Sequence, residues 1–352
     1  MQSRTAESLE STALHGLLFD DPGGYLNIKF MIPCYNNLSK SGKKKGWIRT
    51  MRSRWKITFI ICVVLIAAVL AGCGAAGQPP ALEKMEYTNL NDSGSRELLQ
   101  ELLSDAGVSD GRIQGFFRRV DHFNDSVKQE WLTDGFEEAE PKYDPYTMQD
   151  EWTAKNGTFP GYNCRITAMS LFGDFLSVSA DSQINAGEDV LFVDEETLET
   201  DPDALGGSSL ADFRALYSSM KAEDTTEIPR HVQTVQEEWA SRGVAFQENE
   251  KIRLITVFFH DKPTEEESLL FVGHVGVLLT AEDGTLYFVE KVAFQEPYRL
   301  LRFANRRALS DYLMGKYDTS WGQDTATPFI MENDKLMDGW RPNPDRGSSA
   351  LG

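Results

Sequence analysis

The sequence lacks the short motifs that mark several common enzyme classes. It contains no His-Glu-x-x-His metalloprotease motif, no Gly-x-Ser-x-Gly nucleophile elbow, no phosphate-binding loop and no dinucleotide-binding fingerprint. It is also short of basic residues, because 35 Lys and Arg stand against 54 Asp and Glu, for a formal net charge of −19. A chain this acidic is repelled by phosphate backbones, so we expect no nucleic-acid partner.

One apolar run has the pattern of an export signal. It extends from Ile57 to Leu70, and only Thr58 within it is polar. It follows a basic segment that contains Arg52, Arg54 and Lys56. The run is too short to span a bilayer comfortably, since a membrane helix needs roughly 20 apolar residues, and it ends in small residues that suit a signal peptidase. The sequence Leu70-Ala71-Gly72-Cys73 resembles the bacterial lipobox. The alternative is a short signal anchor that is never cut.

The lipobox divides the first part of the chain into segments. Residues 1–50 show no sustained helix or strand period, so we interpret them as a non-native or disordered extension. Residues 51–72 are then the signal peptide, and 73–86 form a lipidated tether. Lipidation of Cys73 predicts a protein anchored to the cell membrane on its extracytoplasmic face.

Cysteine is scarce, with four in the chain. Processing would remove Cys34 and Cys62 and lipidate Cys73, which leaves Cys164 as the only free thiol. Such a thiol has no partner for an internal disulfide. A lone thiol outside the cell is retained either as a buried, inert residue or for its reactivity.

Helical patterns come first in the predicted domain and strand patterns come last. Apolar spacing and turn residues predict helices after Ser93, at Ser109–Phe123, around Trp152, from Cys164 to Phe172, at Leu210–Met220, at His231–Ser241 and at Asn305–Met314. Strands are expected at Ile252–Phe259, Phe271–Thr280, Leu286–Phe294 and Tyr298–Phe303. This order predicts an α+β fold with N-terminal helices packed on an antiparallel sheet. We expect a single domain over 87–338, a helical insertion around 181–245 and a disordered tail at 339–352.

Cys164 stands where a helix is predicted to begin. The first turn of a helix offers free N–H groups and a positive dipole end, which stabilise a thiolate. A base is needed within hydrogen-bond reach, and His274, in the strand sequence Gly273-His274-Val275-Gly276, is the best candidate. A hairpin turn at Asp283-Gly284 would bring Glu290 of the next strand beside His274, where its carboxylate would fix the tautomer. These three residues form a candidate catalytic triad.

This arrangement resembles papain-like cysteine peptidases and amidases, especially the NlpC-type cell-wall endopeptidases. Those enzymes place Cys at a helix start, His at the head of a following strand in a His-x-Gly-apolar context, and a polar orienting residue on the next strand. The stretch His274-Val275-Gly276-Val277 matches that context. Two features depart from it: the gap from Cys164 to His274 is long and requires a large insertion, and Glu290 replaces the usual His, Asn or Gln.

The resemblance implies a papain-like core and hydrolysis of an amide bond, such as one in the stem peptides of peptidoglycan. The backbone N–H of Cys164, with Tyr162 or Asn163 nearby, would stabilise the oxyanion. Trp152, Tyr162 and Tyr298 are candidate cleft walls. This chemistry requires no cofactor and no metal.

A second resemblance covers nearly the whole predicted domain. It is carried by five stretches: Tyr87-Thr88-Asn89-Leu90, Gly161-Tyr162-Asn163-Cys164-Arg165, Phe271 to Leu278, Glu290 to Tyr298, and Ile330 to Leu336. Together they are similar to a bacterial lipoprotein family known as domain of unknown function 4300. That family implies export and lipidation but no reaction.

Several alternatives stay open on the sequence alone. Cys164 is also explained as a buried core residue, and His274 as a core histidine bonded to a backbone carbonyl. Glu290 is alternatively a partner for Arg165 or Arg299. A metal site is another reading, with ligands His231, His260 and Asp261. The rival function is a non-catalytic lipoprotein that binds a cell-wall component or a partner protein.

Overall fold

The computed structural model describes residues 85–138, 143–179, 191–319 and 324–346. The predicted extension, signal peptide and lipidated Cys73 lie outside these residues. Within them, no helix is both long enough and apolar enough to cross a membrane.

The described residues form eight α-helices and ten β-strands. The helices are α1 (Ser93–Ala106), α2 (Asp110–Ser126), α3 (Pro145–Asn156), α4 (Cys164–Phe172), α5 (Phe192–Thr200), α6 (Leu210–Tyr217), α7 (Ile228–Ser241) and α8 (Arg306–Tyr317). The strands are β1 (Glu86–Thr88), β2 (Leu176–Val178), β3 (Met220–Lys221), β4 (Val244–Phe246), β5 (Ile252–Asp261), β6 (Leu269–Thr280), β7 (Leu286–Lys291), β8 (Tyr298–Phe303), β9 (Phe329–Glu332) and β10 (Lys335–Leu336).

One antiparallel sheet organises the fold. Its strand order is β1-β8-β7-β6-β5-β9-β10, and β3 adds to one end of β6. A second, two-stranded sheet pairs β2 with β4. Because the helices of the first half pack against this antiparallel sheet, the predicted α+β class is confirmed.

The sheet has a hydrophobic core on each face, as alternating side chains require. On one face, Val275 and Val277 of β6 belong to the larger core, together with residues of α1 to α4 and α7. On the other face, Leu278 packs in a smaller core with Leu309 and Leu313 of α8. The central strands β5, β6 and β7 are therefore buried on both faces.

Two predicted boundaries differ from the structure for identifiable reasons. The strand expected to reach Phe294 ends at Lys291, whose buried amine donates hydrogen bonds to carbonyls of the following turn, including those of Ala293 at 3.0 Å and Phe294 at 2.9 Å. This turn cannot continue as a strand, because its carbonyl oxygens accept hydrogen bonds from the Lys291 amine and so point inwards rather than to a neighbouring strand.

The second difference concerns the C-terminal segment, which the sequence predicted to be a disordered tail from residue 339. Arg341 makes a bidentate ion pair with Asp311 of α8, at 2.6 and 2.5 Å. The backbone N–H of Asn343 donates to Asp318 at 2.8 Å. The described part of this segment, to Arg346, is thus attached to the end of α8, and residues 347–352 lie outside the described ranges.

Candidate functional site

Cys164 is the first residue of α4, as the sequence predicted. Asn163 is its N-cap, and the Asn163 side-chain oxygen accepts a hydrogen bond from the N–H of Ile166 at 3.1 Å. An N-cap of this kind fixes where a helix begins. As the first helical residue, Cys164 has a backbone N–H that no carbonyl of the helix accepts.

A buried carboxylate holds the start of α4. Asp194 of α5 is 0% exposed and accepts hydrogen bonds from the Asn163 amide at 2.7 Å and from two nitrogens of Arg165 at 3.0 and 2.7 Å. Arg165 also donates to the carbonyl of Val272 in β6 at 3.2 Å. Asp194 therefore ties α5 to the residues on either side of Cys164, and Arg165 ties them to the strand that carries His274.

The strand β6 leaves room for this helix start. It pairs with β7 only over Val277–Thr280 and with β3 only at Leu269 and Leu270. Among the described residues, the edge between these ladders has no strand neighbour on that side, and the Arg165 side chain reaches it there. A β-bulge at Gly273 shifts the register of β6 against β5 just before His274. Bulges of this kind re-aim side chains and are common next to active sites.

Glu290 lies beside His274 on the neighbouring strand, as the hairpin predicted. The His274 Nε2 atom is 2.7 Å from Glu290 Oε2. The other carboxylate oxygen accepts a hydrogen bond from the Tyr312 hydroxyl of α8 and lies 3.8 Å from Arg299 Nη1. The ring of Tyr317 stacks on His274 at 4.9 Å between centroids. These contacts hold the imidazole and its carboxylate in one orientation.

The remaining nitrogen of His274, Nδ1, is the atom available to the thiol. It is buried and has no partner with good hydrogen-bond geometry among the described residues. Cys164 is nevertheless close enough to act as a hydrogen-bonding partner that shifts the pKa of His274. The thiol and the imidazole are thus neighbours without a well-aligned hydrogen bond, a common state of catalytic pairs before substrate binds.

The charges of this group favour a thiolate and an imidazolium. Burial by itself raises the pKa of the Cys164 thiol, but the polar contact with His274 and the positive charge of its ring outweigh this effect, and the net result is a lowered pKa. Burial alone lowers the pKa of His274, whereas the interactions with Cys164 and Glu290 raise it to about 9. The pKa of Glu290 is lowered to about 2, because the contact with His274 overcomes the effect of burial. Glu290 therefore carries a negative charge that stabilises the imidazolium.

The three side chains are closed off from solvent in this structure. Cys164 is 6% exposed, His274 1% and Glu290 0%. Of the three, only the thiol keeps more than 1% of its surface exposed.

The other predicted site residues make contacts outside the group formed by Cys164, His274 and Glu290. The Asn163 amide is engaged by Asp194, and the buried Tyr162 hydroxyl donates to Asp201 at 2.8 Å. Trp152 and Tyr298, expected at cleft walls, are 1% and 0% exposed and belong to the hydrophobic core around Phe123. Both aromatic rings therefore act in packing in this structure.

The residues of the alternative metal site have other partners. His260 accepts the N–H of Ala326 on Nδ1 at 2.9 Å, and its Nε2 bonds to Ser268 at 2.8 Å. His231 bonds through Nε2 to the carbonyl of Thr225 at 2.8 Å. Both nitrogens of His260 are thus occupied, and the described residues contain no group of three or more potential metal ligands.

Sequence reasoning missed Asp194, Tyr312 and Tyr317. Asp194 stands in an acidic stretch of the sequence. The neighbouring residues do not distinguish it from Glu195, whose side chain is much more exposed in the structure. For Tyr312, a signal was present: it lies between Leu309 and Leu313 on the inward stripe of a predicted helix. A tyrosine in that position needs a hydrogen-bond partner, and Glu290 supplies it.

One family matches the chain across this entire fold. The family described as Domain of unknown function (DUF4300) matches residues 86–337, from β1 to just after β10. No curated protein and no solved structure was found to match significantly. The match spans well over half of the chain and contains Cys164, His274 and Glu290. This chain therefore belongs to the family described as Domain of unknown function (DUF4300).

Proposed function

We propose that this protein is a lipoprotein anchored to the extracytoplasmic face of the cell membrane, and that its domain is a papain-like cysteine hydrolase. Its substrates would be peptide amide bonds such as those of cell-wall stem peptides. The proposal rests on the arrangement of three side chains. Cys164 begins a helix, His274 is its neighbour, and Glu290 is hydrogen-bonded to the imidazole of His274 at 2.7 Å. The helix start, the neighbouring base and the orienting carboxylate are the parts that activate a thiol nucleophile.

The reaction uses these side chains and water. The Cys164 thiolate attacks the amide carbonyl and forms a carbon–sulfur bond, while the carbonyl oxygen takes the negative charge. The carbon–nitrogen bond then breaks, and the imidazolium of His274 gives its proton to the leaving amine. His274 next takes a proton from water, whose oxygen displaces the sulfur and releases a carboxylic acid. Glu290 keeps the imidazole oriented and stabilises its protonated form, both while the thioester forms and while water hydrolyses it.

A test with purified muropeptides addresses this activity directly. We expect the wild-type protein to cleave them into fragments whose combined mass exceeds that of the substrate by one water per bond cleaved, as measured by mass spectrometry. Cys164→Ser should abolish this conversion, because a serine hydroxyl beside His274 stays protonated. Products in equal amount from both proteins would rule out Cys164 as the nucleophile.

Burial of the site supports a second candidate, a non-catalytic lipoprotein that binds a wall component. In that case Cys164, 6% exposed, is a core residue. The two candidates differ in thiol reactivity at neutral pH. An activated Cys164 should react with iodoacetamide faster than free cysteine, and His274→Ala should slow it; a core cysteine should react only when the protein unfolds.

The lipid anchor is proposed on the lipobox alone and has its own test. Expression in a bacterium supplied with an alkyne-tagged fatty acid should label the wild-type protein. Cys73→Ser should lose the label, and the control Cys62→Ser should keep it, since Cys62 lies within the apolar run of the signal. Labelling of Cys73→Ser at the wild-type level would refute the anchor.

A further inference from the structure

Two tyrosines of α8 contact the imidazole and the carboxylate of the candidate site. The Tyr312 hydroxyl donates to Glu290 Oε1 at 2.5 Å, and the other oxygen of this carboxylate lies 2.7 Å from His274 Nε2. The Tyr317 ring stacks on the imidazole at 4.9 Å between centroids. The imidazole and the carboxylate are thus both held from the same helix, and their orientation depends on where α8 lies.

Asp311, the residue before Tyr312, is bound by a segment that follows the last strand. This segment, the C-terminal strap, comprises residues 341–346. The Arg341 guanidinium makes a bidentate ion pair with Asp311 at 2.6 and 2.5 Å, and the Arg341 N–H donates to Ser310 at 3.1 Å. The Asp311 side chain is 7% exposed and that of Arg341 is 20% exposed. A bidentate pair fixes direction as well as distance, so this contact sets the position of the helix beside Tyr312.

Asp318, the residue after Tyr317, is bound by the other end of the strap. Its buried carboxylate accepts the N–H of Asn343 at 2.8 Å, and its second oxygen lies 3.1 Å from Arg346 Nη1. The Asn343 amide in turn donates to the Asp318 carbonyl at 3.2 Å. Asp318 is the C-cap of α8, so these contacts hold the end of the helix. The strap therefore binds α8 directly beside each of the two tyrosines.

We propose that the C-terminal strap is a positioning element that keeps Tyr312 and Tyr317 on the carboxylate and the imidazole. Its value for catalysis rests on the proposed hydrolase function. The two tyrosines lie about 7.5 Å apart along the helix axis, so both contacts hold only while α8 keeps its direction. Anchors beside both tyrosines fix that direction, whereas a single anchor would let the helix pivot. A site keeps its productive geometry only when surrounding residues support it in this way.

The proton between His274 and Glu290 reports on this support without any substrate. Burial alone would raise the pKa of Glu290, but the contact with His274 lowers it to about 2, so the imidazole Nε2 carries the proton of their hydrogen bond. A loosened α8 should let this proton exchange with water more often, because exchange follows the population of locally opened states. NMR measures the rate.

The strap variant combines Arg341→Met with Arg346→Met, which removes both guanidinium groups. We expect it to raise the exchange rate of the His274 Nε2 proton by about 10-fold, equivalent to about 1.4 kcal/mol of local stability. Arg341→Met alone should change the rate in the same direction, so the test remains if the double variant does not fold. Muropeptide hydrolysis should slow in the strap variant as well.

The matched control is Arg306→Met at the other end of α8. Arg306, the first residue of the helix, makes the same kind of bidentate pair, with Glu332 at 2.7 and 2.6 Å. Its side chain is 33% exposed, against 20% and 35% for the two strap arginines. This control also removes an ion pair from α8, yet it should leave the exchange rate and hydrolysis at their wild-type values.

The outcomes separate the strap from the hydrolase. An exchange rate equal to wild type in the strap variant, or one raised as much by Arg306→Met, would overturn the positioning role and leave the hydrolase proposal standing. Hydrolysis that stays at the wild-type rate despite faster exchange would overturn the value of the strap for catalysis. Faster exchange in the strap variant, with a wild-type protein that cleaves no muropeptide, would support the positioning role and refute the hydrolase alone.

Discussion

Asp194 offers the clearest test of how the insertion supports the candidate site. Its buried carboxylate accepts three hydrogen bonds, one from Asn163 and two from Arg165, at 2.7 to 3.0 Å. In Asp194→Ala the Asn163 amide and the Arg165 guanidinium, only 13% exposed, lose the carboxylate that they share. Removing one partner of a buried ion pair costs about 3–5 kcal/mol. For a domain of this size each kcal/mol lowers Tm by roughly 2–4 °C, so we expect a loss on the order of 10 °C.

The adjacent residue supplies the control for that measurement. Glu195 also makes a bidentate pair, with Arg214 at 2.7 Å to both oxygens, but its side chain is 30% exposed and that of Arg214 is 46% exposed. An exposed pair contributes about 0–1 kcal/mol, so Glu195→Ala should barely change Tm in differential scanning calorimetry. Similar Tm values for the two variants would show that Asp194 does not anchor the start of α4.

Two further predictions concern β6 and its neighbours. Gly276→Ala should destabilise the fold by about 1–3 kcal/mol in urea unfolding, because a β-carbon there would lie 2.3 Å from the Phe288 ring. The control is Gly315→Ala in α8, where a β-carbon meets open space, and this change should be neutral or stabilising. A stable Gly276→Ala protein would contradict the close approach of β6 and β7. Glu290→Gln should lower the pKa of His274 from about 9 towards its usual 6.5, because the imidazolium loses a negative partner. An NMR titration of the imidazole checks this, and an unchanged midpoint would show that Glu290 does not stabilise the charged ring.

Local chemistry was enough to predict much of the fold. The helix α1 ends at Ala106 because the next residue, Gly107, adopts the left-handed conformation that glycine allows. The hairpin between β6 and β7 follows from the turn at Asp283 and Gly284 between two runs of β-forming residues. Since hairpin pairing sets which residues lie side by side, the contact of His274 with Glu290 was also predictable.

Contacts between distant segments were not predictable in this way. Nothing local distinguishes the buried Asp194 from Glu195, which is 30% exposed. Likewise, Trp152 looked like a cleft residue in the sequence, and only the packing of α3 against α2 buries it.

The sequence by itself determined the acidic character of the chain, the order of its elements, and the pairing of the imidazole with its carboxylate. These properties depend on composition and on neighbours along the chain or across one turn. Only the tertiary structure decided that Cys164 meets His274, that Asp194 holds the helix start, and that the site is closed to solvent. The physical reason is that each of these contacts joins segments far apart in the chain, and their meeting depends on how the helices pack against the whole sheet.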